Sequence, residues 1–159
     1  MRHLKWKLLF AGVLVACVFG GIGIGVAWAT PGAGVTNTPL AGPVALDEIN
    51  IAAQSPTHGI ILQTRGDWEC RVIQHTIVPG GHTGWHSHPG PVFVMITAGT
   101  MTIYHADDPT TPIHYPAGTG FVDHGGAHIA GNAGDVDLKI VGFYLIPKGS
   151  NPRIDEPAP

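Results

Sequence analysis

The chain has 159 residues, of which 12% are charged and 44% are hydrophobic, and its formal net charge at pH 7 is −3. This length is sufficient for one globular domain plus a short additional segment. Because the few basic residues form no patch beyond the N-terminus, the composition excludes a nucleic-acid-binding protein and makes anionic membrane surfaces poor partners.

The first 29 residues have the composition of an export signal. A basic start with Arg2, Lys5 and Lys7 precedes a run over residues 8–29 that carries no charge. This order, together with the small residues of Ala27-Trp28-Ala29, is typical of a secretory signal peptide. We therefore expect cleavage after Ala29 and an exported protein, secreted or held in the cell envelope.

Two alternatives to this cleavage stay open. Twenty-two uncharged residues are also long enough for an uncleaved membrane anchor, which needs about 20. The stretch Leu14-Val15-Ala16-Cys17 resembles a bacterial lipoprotein cleavage box. In each case contact with a membrane is expected only through residues 1–29.

The remaining chain has five basic and eleven acidic residues, a net charge of −6, and one cysteine, so it forms no internal disulfide.

The rest of the chain divides into three parts. Residues 30–43 are rich in proline, glycine and threonine without periodicity, which predicts a flexible linker. Residues 44–147 contain short apolar or alternating segments between turn signals, which predicts an all-β domain. Residues 148–159 predict a proline-rich tail along the surface. The predicted strands cover 45–52, 58–64, 68–78, 91–97, 100–105, 111–115, 119–123, 127–131 and 136–146.

One of these segments is nearly continuous in apolar character. The run Pro91-Val92-Phe93-Val94-Met95-Ile96 is typical of a strand that is buried on both faces. It follows directly after a histidine-rich loop, so the loop is expected to be anchored to the core.

That loop contains the best candidates for a metal site. His86 and His88 stand two residues apart, so on a strand both imidazoles project from the same face. A third histidine, His128, lies in a later predicted strand. Three converging neutral imidazoles suit a first-row transition metal.

The spacing around these residues resembles the first motif of the cupin family, which runs Gly, five residues, His-x-His, three or four residues, Glu, six residues, Gly. Gly80, His86, His88 and Gly99 stand at the matching positions. Val92 stands where the family has its glutamate.

The second cupin motif runs Gly, five residues, Pro-x-Gly, two residues, His, three residues, Asn. Gly125, His128 and Asn132 match it, whereas Ala117 and Asp123 replace its first glycine and its proline. The resemblance implies a double-stranded β-helix, or jelly-roll barrel. It also implies one divalent transition metal ion (iron, zinc, copper, nickel or manganese) bound by His86, His88 and His128.

The missing glutamate changes the expected chemistry. Three neutral imidazoles leave the charge of a divalent metal uncompensated, so we expect a small anionic or chelating ligand. This three-histidine pattern resembles the metal sites of cupin thiol dioxygenases and β-diketone-cleaving dioxygenases, which implies an oxidoreductase. The alternative is a non-catalytic module that binds a small ligand or a metal. No catalytic residue can be identified, and a homodimer is compatible with the sequence.

Three other residues lie close enough in the sequence to supply a fourth ligand. Asp123 and His124 lie in the glycine-rich turn before His128, and His82 lies four residues before His86. For each of them, a turn residue or a hydrogen-bond partner of a ligand is the favoured interpretation.

Overall fold

The structure is a computed structural model, and it describes residues 29–159. The predicted export signal therefore lies, except for Ala29, outside the described residues. Twelve strands and no helix occur in the described part of the chain, so no helix there could cross a membrane. The strands are β1 (Ala33–Leu46), β2 (Asn50–Gln54), β3 (Gly59–Gln63), β4 (Trp68–His82), β5 (His86–Ser87), β6 (Val92–Ala98), β7 (Thr100–His105), β8 (Asp108–Pro116), β9 (Gly120–Asp123), β10 (His128–Gly131), β11 (Leu138–Pro147) and β12 (Ile154–Asp155).

Ten of the strands form one antiparallel sheet that curls into a near-closed barrel. Its main order is β12-β5-β10-β4-β11-β6-β9, with β1 paired to β4, and with β7 paired to both β10 and β8. The remaining strands, β2 and β3, form a separate hairpin. The prediction of an all-β, jelly-roll type of fold is thus confirmed for the described residues.

The core lies inside the barrel and is centred on the pairing of β4 with β11. Ile77 of β4 is opposite Leu138 of β11, and both side chains are fully buried. Because side chains alternate between the two faces, this register directs every second residue of both strands inward. The buried cluster comprises Ile77, Ile96, Met101, Ile103, Ala130, Leu138 and Ile140.

The prediction of a flexible linker over residues 30–43 is wrong for most of that range. Residues 33–46 form β1, which pairs with β4 from Ala33 opposite His82 to Leu46 opposite Trp68. Pro39 and Pro43, two of the prolines that suggested a linker, lie in a strand at the edge of the sheet, with register shifts on either side of Ala41. An edge strand tolerates proline because it can direct the missing N–H away from its neighbour.

The prediction that residues 91–96 are buried on both faces is also wrong. Val92 and Ile96 of β6 are buried, but Phe93 and Met95 are 38% and 46% exposed. The reason is that an antiparallel barrel covers only the inner face of its strands unless another layer packs outside. The presence of apolar residues on both faces of β6 therefore does not show that both faces are buried.

Two predicted irregular segments take part in the sheet. Residues 79–82, which follow the predicted strand 68–78, lie inside β4, where Gly80 has a φ of 77° and its N–H donates to the carbonyl of Asn132. The predicted surface tail contains β12, which pairs with β5. Both β5 and β12 have only two residues, so neither could show a periodic pattern in the sequence.

Candidate metal centre

The structure brings the three predicted histidines together at one end of the barrel. His86 of β5 is the pairing partner of His128 of β10, and His88 follows immediately after β5. Each residue offers one ring nitrogen, and these nitrogens all lie within 4.8 Å of one another. His86 and His128 are buried and His88 is half-buried.

The backbone determines which ring nitrogen faces the centre. In each histidine the Nδ1 atom lies within hydrogen-bond distance of a carbonyl oxygen, which can only accept a hydrogen bond. Each Nδ1 therefore carries the hydrogen, and each Nε2 of the neutral ring keeps a free lone pair for a metal. The Nδ1 to oxygen distances are 2.9 Å from His86 to Gly84, 2.6 Å from His88 to Pro152 and 2.8 Å from His128 to Gly126.

The surroundings keep the three imidazoles uncharged. Burial lowers the pKa of His86 to about 2 and also lowers the pKa values of His88 and His128. The mutual repulsion of charged rings this close together acts in the same direction. At neutral pH no proton has to be displaced from these nitrogens before a metal ion binds.

Asp123 contacts one of these rings from outside the cluster. Its Oδ2 lies 3.2 Å from Nδ1 of His128, and its Oδ1 accepts a 2.5 Å hydrogen bond from the N–H of Gly125. Its side chain is only 4% exposed. The carboxylate therefore faces the nitrogen that points away from the three Nε2 atoms, as expected of a hydrogen-bond partner of a ligand.

The other two candidates for a fourth ligand lie apart from the cluster. His124 is exposed to solvent. The Nδ1 of His82 accepts a hydrogen bond from the N–H of Gly84 at 3.2 Å, so this ring supports the turn before β5. Neither residue belongs to the group of nitrogens that could share one ion.

Val92 faces the three histidines. It is 2% exposed, packs against Tyr144 and Ile146, and lines an inner cavity of about 60 Å³ together with the rings of His86, His88 and His128. Apolar methyl groups thus border the centre where a cupin glutamate would be expected, and they cannot coordinate a metal.

A wider cavity of about 530 Å³ opens beside the histidines. Its walls come from the start of β1, from β4 and β11, and from the C-terminal residues 151–155. Arg153 is the single arginine or lysine among the described residues that line it. The Nε of Arg153 contacts Oδ1 of Asp155 at 2.6 Å. The two Nη groups form no hydrogen bond within residues 29–159, so they remain available to an anion.

A chain of hydrogen bonds on the cavity wall was not predicted from the sequence. The Tyr144 hydroxyl lies 2.8 Å from Nε2 of His75, and Nδ1 of His75 lies 2.7 Å from Oδ1 of Asn37. The ring of Tyr144 is also 5.5 Å from the ring of His88, between centroids. Burial lowers the pKa of His75 to about 4 and raises the pKa of the Tyr144 hydroxyl.

A signal for His75 did exist in the sequence. His75 and Ile77 stand two residues apart in a strand, so an inward-facing Ile77 implies an inward-facing His75. The structure places this side chain on the wall of both cavities.

The C-terminal segment, residues 148–159, forms part of the site. The carbonyl of Pro152 holds His88, and β12 pairs with the strand that carries His86. The hydroxyl of Ser87 donates to Oε1 of Glu156 at 2.6 Å, and the N–H of Glu156 donates to the carbonyl of Trp85. These bonds attach the segment to both sides of the histidine loop.

Comparison with known proteins yields structural likeness only. No protein-family model matches the chain, and no curated protein does. A cupin superfamily protein of Desulfitobacterium hafniense is 14% identical with a TM-score of 0.48, over 70% of this chain and 77% of that one. A cupin domain of Bordetella pertussis is 18% identical with a TM-score of 0.48, over 74% and 97%. An oxalate oxidase in complex with glycolate is 20% identical with a TM-score of 0.46, over 54% and 45%. The solved structures to which this chain is similar thus include cupins and an oxalate oxidase.

Proposed function

We propose that the protein binds one divalent transition metal ion through Nε2 of His86, His88 and His128, and that it is an oxidoreductase of the dioxygenase type for a small anionic or chelating molecule. The observation that carries the proposal is the common orientation of the three rings. Their Nδ1–H groups are all held by backbone carbonyls, so the three Nε2 lone pairs stay free, and the ring nitrogens lie within 4.8 Å of one another beside an open cavity.

The donor set fits such an ion. Three neutral imidazoles suit iron, zinc, copper, nickel or manganese, and they leave coordination positions for other ligands. When bound, the metal would supply Lewis acidity and, if it is redox-active, electron transfer with dioxygen. The three-histidine pattern without glutamate, which resembles that of thiol and β-diketone dioxygenases, supports an oxidative reaction.

The other residues of the site act on the substrate. Arg153 would bind an anionic group at the cavity wall, because its Nη groups offer a paired donor geometry that matches a carboxylate. The Tyr144 hydroxyl, which donates to His75, would present its oxygen as an acceptor to a protonated substrate group. The apolar lining around Val92, Phe121 and Ile140 would limit water beside the histidines.

The test combines metal content with oxygen uptake. The protein is purified without added metal, its metals are measured by elemental analysis, and it is then loaded separately with iron(II), copper(II) and zinc(II). Oxygen consumption is recorded with panels of small thiols, β-diketones and hydroxycarboxylates. Uptake with one panel and one redox-active metal supports the proposal. Stoichiometric ligand binding without oxygen uptake for any metal would instead favour the non-catalytic binding module.

We also propose that the protein is exported and cleaved after Ala29. In support, the first strand begins at Ala33, so cleavage would leave all twelve described strands intact. Mass spectrometry of the exported fraction should give an N-terminus at Thr30. An intact Met1 would favour the anchor, and a lipidated Cys17 would favour the lipoprotein.

A further inference from the structure

Asp123 occupies a position in the sheet that bears directly on the missing glutamate. It is the last residue of β9, and its pairing partner on β6 is Val92. Directly paired residues on antiparallel strands project from the same face, with Cβ atoms about 5 Å apart. Both side chains line the inner cavity beside the histidines. The neighbouring strand therefore brings a carboxylate next to the position where β6 lacks one.

The carboxylate is held by two contacts. Oδ1 accepts the hydrogen bond from the N–H of Gly125, and Oδ2 faces Nδ1 of His128. This Nδ1–H also donates to the carbonyl of Gly126, so it is shared between a neutral and a charged acceptor. Asp123 is therefore directed at the ligand ring rather than at the metal position.

Among the described residues that line the inner cavity, none is a lysine or an arginine that could match the charge of Asp123. It is the sole carboxylate among the described residues that line the inner cavity, and most of the others are apolar. A divalent ion bound to three neutral imidazoles would bring two positive charges into this environment, where electrostatic interactions are much less screened than in water. A buried carboxylate at the far nitrogen of a ligand ring offsets part of that charge and makes the ring a stronger donor.

We propose that Asp123 is a positioning residue that supplies through His128, from outside the ligand shell, the negative charge that Val92 cannot supply. The inference rests on the metal site of the proposed function. It also refines the sequence argument, because the metal charge is then partly compensated before any ligand binds.

The first test removes the charge and keeps the shape. In Asp123→Asn the amide oxygen can still accept from Gly125, so the turn is retained while the charge is lost. Apparent Co²⁺ affinity, from titration followed by the visible absorption of the bound ion, should fall about 10- to 100-fold. Asp123→Ser, whose hydroxyl can also accept from Gly125, should give the same loss and serves if the first variant folds poorly. The matched control is Asp135→Asn, which removes the same charge from an exposed aspartate in the segment between β10 and β11.

The second test restores the charge from the neighbouring strand. In Val92→Glu/Asp123→Asn the new carboxylate faces the metal directly, so affinity should recover at least tenfold over Asp123→Asn alone, the scale of one such supporting interaction. In Val92→Glu alone the two carboxylates are paired across the strands, and like charges directly opposite are unfavourable. The gain from the new glutamate should therefore be smaller when Asp123 is present.

The outcomes separate this inference from the proposed function. Wild-type protein that binds no Co²⁺ would overturn the metal site itself. Wild-type binding with unchanged affinity in both Asp123→Asn and Asp123→Ser would overturn only the role of Asp123. An equal loss in Asp135→Asn would overturn it too, since the effect would then be one of overall charge. An equal gain from Val92→Glu in both backgrounds would show that the two positions act independently, and it would also contradict the inference.

Discussion

Two segments outside the main barrel strands differ in how they relate to the site. The C-terminal segment, residues 148–159, is polar and rich in proline, yet it is attached to the histidine loop by strand pairing and by hydrogen bonds from Ser87 and His88. The β2–β3 hairpin contains several isoleucines, yet its strands pair only with each other, and Ile61 is 82% exposed.

The difference shows that apolar content does not decide which segment docks on this barrel. The short strand β5 leaves backbone and side-chain hydrogen-bonding groups at its edge, and β12 and Glu156 supply their partners. Buried polar groups require such partners, so the segment that can satisfy them lies over the site. The two strands of the hairpin pair with each other, and its base is closed by hydrogen bonds between Ile49 and Thr64, while its outer edges can bond to water.

The largest effect is expected from removal of a ligand beneath the C-terminal segment. His86→Ala should abolish measurable metal binding, because two imidazoles at the remaining positions cannot hold the ion as three do. The matched control is His58→Ala, in the exposed turn of the hairpin, which should bind metal like the wild type. Isothermal titration with Zn²⁺ measures both. Equal binding by the His86→Ala protein would contradict the metal site.

A smaller effect is expected from deletion of residues 152–159. The deletion removes the carbonyl that orients His88, and loss of such a partner typically lowers metal affinity about 10- to 100-fold. Replacement of residues 51–62 by a short glycine–serine turn removes the hairpin and should leave metal affinity unchanged. Thermal unfolding of both variants shows whether the barrel is retained. Equal affinities in the two variants would show that the C-terminal segment only covers the site.

The stability of the metal-free protein should depend on pH through its buried histidines. Burial lowers the pKa of His86 to about 2 and that of His75 to about 4, while the unfolded chain protonates near 6.5. Below pH 6.5 the unfolded state binds more protons than the folded state, so the free energy of unfolding decreases as the pH is lowered. It continues to decrease down to about pH 4 and below. Each such group contributes a slope of up to about 1.4 kcal/mol per pH unit.

This dependence can be measured as the thermal unfolding midpoint from pH 7 to pH 4. His75→Gln should flatten the curve, whereas His58→Gln in the hairpin turn should leave it unchanged. Metal binding should likewise persist somewhat below pH 6.5, since burial makes protons weaker competitors. A curve that is the same in His75→Gln and in the wild type would contradict the assignment for that residue.

The smallest effect is expected from Ile61→Lys in the hairpin. The side chain is already mostly exposed, so the free energy of unfolding should change by less than about 0.5 kcal/mol. Metal affinity should not change. Chemical denaturation and Zn²⁺ titration measure these two quantities. A large loss of stability would show that the hairpin is covered in solution, for example by a second copy of the chain.

Much of the site could be predicted because it depends on local spacing. His86 and His88 share a strand face because side chains alternate with a period of two. His128 could be grouped with them only because the chain resembles both cupin motifs. Asp123 was identified as a neighbour of His128 from its position in the turn. Its pairing with Val92, however, depends on the register of β6 against β9, which no local pattern encodes.

The all-β class, most strands and the three histidines could be predicted from local patterns, because side-chain alternation and turn residues act over a few positions. Which segments complete the site depends instead on contacts in the folded chain. The tertiary structure placed β1 on the edge of β4, attached β12 to β5, and brought Asn37, His75 and Tyr144 into one chain of hydrogen bonds. These are contacts between residues far apart in the chain, and they form because buried backbone and polar groups must find partners once the barrel closes.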